Sequence, residues 1–186
     1  MKVLRILIIF FSIGVLLIGT EGECRKLGSL YSMLSGLDEV KVYISEMTNS
    51  SGNKEVDTAA LRTLLSKALD SRKSINFKTV GEKKNADIVI DTVIKEFIWT
   101  EDDPIDMITG AAAVAIDALK QENYGRVQAE FTVSNAKTGK VIWSDVEKAT
   151  ITDEKMSESE SIGRLNERLV YVFIREAFSK GNSATR

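Results

Sequence analysis

The sequence predicts an α+β domain of two layers, a mixed and mostly antiparallel sheet of about five strands with helices packed on it. Three observations carry that expectation. Apolar and polar residues alternate in several stretches, as strands with one buried face require. Two other stretches repeat apolar residues every three or four positions, the spacing of one helix face. Lys137-Thr138-Gly139-Lys140 separates two alternating runs, as the turn of a hairpin does.

Taken in order, Val40, Val42 and Ile44 alternate with more polar neighbours, so the first strand is expected from Val40 to Met47. Thr48 to Asn53 reads as a polar loop. Asp57 is placed to cap a helix whose apolar face is Leu61, Leu64, Leu65, Ala68 and Leu69. A second strand is expected from Ile75 to Val80, followed by a charged turn from Gly81 to Asn85. Ala86 to Trp99 is the strongest strand. Its apolar residues fall on both alternations (Ile88, Ile90, Ile94 and Val89, Val93, Phe97, Trp99), which points to the sheet interior.

Asp103, Pro104 and Asp106 suit a helix start, and Ile105, Ile108, Ala112, Ala115, Ile116 and Leu119 continue it as a stripe. Its small residues, Gly110 to Ala113, fit a helix lying close on the sheet or a close helix–helix contact in a membrane. Val127, Ala129, Phe131 and Val133 mark the next strand, Tyr124 to Asn135. Its hairpin partner begins at Val141-Ile142-Trp143 and runs to about Ile151. Ser157 and Glu160 form a capping-box pattern before a long helix with the stripe Ile162, Leu165, Leu169, Val172, Phe173 and Phe178. Gly181 is the expected stop.

The amino terminus speaks to compartment. Lys2 and Arg5 precede the apolar run Ile6–Ile18, and polar sequence follows at Thr20. That is the layout of a secretory signal peptide, and the run is shorter than the roughly 20 residues a spanning helix needs. An uncleaved anchor is the other reading, and both place the chain beyond the cytoplasm. The expected organisation is a signal peptide over residues 1–22, a Gly/Ser-rich tether over 23–38, one domain over 39–181 and a frayed tail over 182–186. Within the tether, Leu30, Tyr31, Met33 and Leu34 suit a short docking turn. Cys24 is the one cysteine, so it has no partner for an internal disulfide. It is the candidate lipid-attachment residue, although Glu23 stands where a lipobox has a small residue. A free thiol in a flexible tail is the alternative.

Function classes narrow by exclusion. The chain has no histidine, which removes His-based nucleophile systems and the commonest transition-metal ligand. One cysteine cannot build a zinc or iron–sulfur site, and no glycine-rich phosphate loop follows a strand. Cleavage after Gly22 leaves 23 basic and 26 acidic residues, the wrong balance for a nucleic-acid binder. Glu101, Asp102, Asp103 and Asp106 lack the order of a calcium loop and read as a solvated helix start. Asp87 and Asp91 share one side of a strand in the manner of paired catalytic carboxylates, but such pairs are common without function. Trp99 and Trp143 are read as core in preference to binding aromatics, and Glu158 and Glu160 as helix-start charge. Asn49-Ser50-Ser51 matches a glycosylation acceptor, a pattern too short to count. The expectation is a protein without enzymatic activity, metal or cofactor.

Three segments carry a resemblance. Met47-Thr48-Asn49-Ser50-Ser51-Gly52 resembles the P-F-x-N-x-T/S opening of several envelope lipoproteins. Asn85-Ala86-Asp87-Ile88-Val89-Ile90 resembles their A-D-x-V-[LI]-x-G strand, with Asp91 standing where the group has Gly. Lys137-Thr138-Gly139-Lys140-Val141-Ile142-Trp143 is similar to their D-x-x-T-G-K-V-[LI]-W hairpin. The group includes LptE, CsgG and LpoB, and the matches span roughly residues 40–178. A likeness to LptE implies an outer-membrane-associated assembly factor that binds an envelope protein, held at the membrane through Cys24. A likeness to CsgG implies a homo-oligomeric secretion or pore component using residues 106–121. A likeness to LpoB implies an activator of a cell-wall synthase.

Overall fold

The computed structural model describes residues 30–100, 123–153 and 157–180. The signal peptide, Cys24, the acidic cluster at 101–106, the helix expected at 105–121, the Gly181 stop and the tail lie outside the described residues. Six strands form one sheet: β1 (Val40–Ile44), β2 (Thr48–Asn49), β3 (Phe77–Thr79), β4 (Ile88–Thr100), β5 (Asn123–Asn135) and β6 (Val141–Asp153). The order is β3-β1-β4-β5-β6, with β2 also against β4. The short pairings β1–β3, β1–β4 and β2–β4 are parallel, and the long β4–β5 and β5–β6 ladders are antiparallel. Among the described residues three α-helices accompany the sheet: α1 (Tyr31–Leu34), α2 (Thr58–Asp70) and α3 (Glu158–Phe178). The α+β class expected from the sequence is the class observed.

Helix starts follow the local chemistry. The Asp57 carboxylate accepts the Ala59 and Ala60 N–H groups, so two orphan donors of α2 are satisfied at once. Ser157 and Glu160 close the capping box of α3 reciprocally. Leu61, Leu65 and Leu69 of α2 and Leu165, Leu169, Phe173 and Phe178 of α3 are fully buried in one continuous core. Val170 and Ile174 of α3 are buried beside them. Leu30 and Leu34 reach the same core, and the Leu30 N–H donates to the Ala177 carbonyl, so the docking turn is a helical turn pinned to the end of α3.

Two details depart from the expected elements. Thr48 and Asn49, read as loop, form β2. β4 is 13 residues long and β1 only 5, so the flank of β4 beyond Ile90 needs another partner; β2 supplies it. The second is the double alternation of β4. Lys95 is an extra residue opposite β5, between Ile94↔Ala129 and Glu96↔Gln128. This β-bulge flips the phase of the strand, so Ile88, Ile90 and Ile94 before it and Phe97 after it enter the same core. β4 is interior, as expected, but its two apolar phases come largely from one kinked face.

An aromatic chain ties the layers together. Phe131 of β5 stacks on Phe173 of α3 at 4.2 Å between centroids. Trp143 meets Phe173 edge-on at 5.4 Å, and Phe178 links Phe173 to Phe77 of β3 at 5.5 and 5.0 Å. Trp143 is 1% exposed, and Trp99 packs partly buried over Gly125, so both tryptophans serve the core.

Candidate functional site

Several residues that carried chemical interest prove to hold backbone in place. Asp87 precedes β4, and its carboxylate accepts the Lys41 N–H at 2.9 Å while its own N–H donates to the Lys41 carbonyl at 2.8 Å. Asp91 is exposed within β4, opposite Thr132. Asp87 is thus committed to the β1 backbone. Asn49 organises the loop after β2: its side-chain oxygen accepts from the Ser51 N–H and hydroxyl, and its amide donates to the Asn53 carbonyl. Arg72 crosses from the end of α2 to the end of α3, donating to the Phe178 carbonyl at 2.8 Å and the Ser179 hydroxyl at 3.2 Å. Burial there pulls its pKa down from the ordinary arginine value.

The sheet surface carries ion pairs across strands. Arg126 donates to Glu96 at 2.6 Å, and that hydrogen bond raises the arginine pKa. Lys95, the bulge residue, meets Glu130 at 2.8 Å. Among the described residues no group of three or more carboxylates or thiols could hold a metal ion, and no helix is long and apolar enough to cross a membrane.

One concavity lies at the β6 edge. It has a volume of about 710 Å³ and is lined by Tyr124 of β5, Thr150, Ile151 and Thr152 of β6, and Arg164, Glu167, Arg168 and Tyr171 of α3. The last four recur at helical spacing on the polar side of α3, opposite the stripe that enters the core. Tyr171 is 64% exposed, and the Arg175 guanidinium sits 5.9 Å from its ring centre. A second concavity of about 620 Å³ lies over α2 and the end of β3, where Asp70 accepts the Thr79 N–H and hydroxyl.

Hydrogen-bond parity defines what β6 offers to the first groove. Asn135 both donates to the Lys140 carbonyl and accepts from the Gly139 N–H, so odd-numbered residues of β5 bond toward β6. Their partners are the odd residues of β6, from Trp143 to Ile151. The even residues therefore direct N–H and C=O away from the sheet. At Val146 the outward N–H is taken by the neighbouring Asp145 carboxylate at 2.8 Å. Lys148, Thr150 and Thr152 have no such cover among the described residues, and two of them line the groove. None of these groove residues stood out in the sequence. Arg164, Arg168 and Tyr171 fall outside the apolar stripe by which that helix is read, and the edge position of β6 depends on which strands pair.

No protein-family model matches the chain, and no characterised relative matches its sequence. The fold does have solved counterparts. PelC from Paraburkholderia phytofirmans, a dodecamer solved as a leucine-to-methionine variant, aligns at TM-score 0.51 and 12% identity, over 76% of this chain and 90% of PelC. The hypothetical protein CT253 from Chlamydia trachomatis aligns at TM-score 0.50 and 12% identity, over 74% of this chain and 95% of that one. Bacterial lipoproteins appear among the weaker likenesses. GNA1162 from Neisseria meningitidis aligns at TM-score 0.43 and 13% identity, over 73% of this chain and 99% of its own. The C-terminal domain of LpoB from Salmonella enterica is a more distant one, at TM-score 0.37. What the likenesses at TM-score 0.50 and above share with this chain is the fold, and neither of them is to LptE.

Proposed function

We propose that this chain is an exported component of a bacterial envelope that works by holding a protein partner and catalyses no reaction, an assembly factor in the manner of LptE. The observation that carries the binding reading is the groove between β6 and α3, an accessible concavity beside backbone groups that the sheet leaves unused. The tie of Asp87 to β1 weighs against the catalytic carboxylate pair read from the sequence. The signal-peptide layout and the position of Cys24 supply the compartment and the membrane attachment.

The test is to express the full-length protein in a bacterium with two membranes, carrying a photo-crosslinking amino acid in place of Tyr171. The reading expects a lipid adduct on the mature chain that Cys24→Ala removes, and a discrete protein crosslink in the envelope fraction. A soluble cytoplasmic protein retaining residues 1–22, or an envelope protein with no crosslink, would sink it. A second reading is favoured by the likeness to PelC, which is a dodecamer: self-assembly into an oligomeric secretion or pore component. In that case the crosslink joins two copies of this chain, and the native mass in detergent is that of a ring.

A further inference from the structure

Resting on that protein-binding reading, we infer that the partner is engaged by strand addition: an extended segment bearing an acidic side chain pairs with β6 over Lys148–Thr152 and sets its carboxylate against Arg168.

The two halves of β6 are built differently. From Val141 to Glu147 the strand carries three features that discourage a neighbour. Ile142 is an extra residue opposite β5, which kinks the strand. The Asp145 carboxylate occupies the outward N–H of Val146. Glu147 points to the core side at 6% exposure, an inward charge of the kind that keeps edge strands from pairing. From Lys148 to Thr152 none of these appears, and the stretch contains no proline. Its β-branched threonines suit a strand. Lys148, Thr150 and Thr152 each present an outward N–H and C=O, an alternation that another extended backbone matches.

Charge selects the class of segment. Chain and groove differ in sign: the whole sequence has a net charge of −2, whereas the lining carries Arg164 and Arg168 against Glu167. Arg168 has no ion-pair or hydrogen-bond partner among the described residues, so its guanidinium can take a carboxylate in bidentate fashion. Tyr171 gives the same wall an exposed aromatic surface for the stem of an incoming side chain.

The test uses the full-length protein in detergent and a capped nine-residue peptide that alternates valine with glutamate and threonine. Binding is expected to slow amide exchange at Lys148, Thr150 and Thr152 more than elsewhere. Thr150→Pro deletes one outward donor while leaving the β5 ladder intact, because proline is accepted on an edge strand where its missing N–H faces away. It should weaken the peptide by about tenfold. Arg168→Glu should weaken it by a similar factor, about tenfold, and create a preference for the lysine version of the peptide. Should Thr150→Pro misfold, the exchange pattern of the unaltered protein decides. No binding at about millimolar peptide, or binding that leaves those three amides unslowed, overturns the inference. An envelope crosslink at Tyr171 that survives Thr150→Pro in a folded protein also overturns it, yet leaves the protein-binding function standing.

Discussion

At one end of the sheet β3 is three residues long, and both of its outward donors are used. The Phe77 N–H turns back to the Ile75 carbonyl, and the Thr79 N–H goes to Asp70 of α2, which in turn is locked to the Thr79 hydroxyl. At the other end β6 runs 13 residues, of which only the part near the hairpin is closed. A short edge tied to a helix has no outward donor left to offer a partner. A long edge whose cover stops at Glu147 retains backbone groups that can pair. The contrast separates the part of the fold that stabilises itself from the part available for recognition, and five substitutions test how independent the two ends are.

The largest effect is expected at Phe173, which contacts the β5, β6 and α3 aromatics and, through Phe178, reaches β3. Phe173→Ala should cost about 3–5 kcal/mol in urea unfolding. If the two ends form one cooperative unit, the transition stays single and its midpoint falls. A second, earlier transition confined to β1–β3 probes would mean that the antiparallel half stands alone.

Next in size is Gly125, where an added Cβ would lie 2.9 Å from Leu165 Cδ1, 3.2 Å from Ile151 and 3.3 Å from the Trp99 ring. Gly125→Ala should destabilise by about 1–3 kcal/mol through overpacking. Because Ile151 lines the groove, it should also alter peptide affinity, whereas a substitution of equal cost at the β3 end should not. Isothermal titration on both variants checks this.

Local chemistry was legible in the sequence wherever a few adjacent residues decide the outcome. Asp57, the Ser157–Glu160 box and the 137–140 turn with Gly139 at φ 70° need only neighbours, and each is found as read. Long-range pairing was not legible. β2 exists because β4 outlasts β1, a fact about two distant segments, and the Lys95 bulge shows only when β4 is laid against β5. The groove is harder still. It joins residues 124, 150–152 and 164–171, and its character depends on β6 being an edge, which strand order alone determines. Asp87 was visible as a carboxylate, but its partner, the Lys41 N–H, is 46 positions away.

The helix caps sharpen the comparison at a smaller scale. Asp57 binds two N–H groups at 2.9 and 3.0 Å, while the Ser157 hydroxyl reaches the Glu160 N–H at 3.4 Å. A carboxylate at a helix start also gains from the dipole. Asp57→Ala should therefore cost about 1–2 kcal/mol and Ser157→Ala about 0.5–1 kcal/mol by thermal or urea unfolding. Equal costs would mean that the Glu160 carboxylate, which accepts the Ser157 N–H at 3.1 Å, supplies what the long hydroxyl contact lacks.

The smallest effect belongs to the Glu96–Arg126 pair, just past the Lys95 bulge. Its 2.6 Å contact is short, yet both side chains are about a third exposed, at 33% and 28%. A pair so placed is screened by water and salt, and Glu96→Gln should cost less than about 1 kcal/mol, most of it gone at high ionic strength. The bulge itself is held by packing, since Ile94 and Phe97 on either side are core residues whatever the charge between them. Retained slow amide exchange across β4 and β5 in Glu96→Gln is the expected result. A loss of protection on both sides of Lys95 would instead make the ion pair the clamp that sets the register, and the phase flip of β4 would then depend on charge as well as on apolar burial.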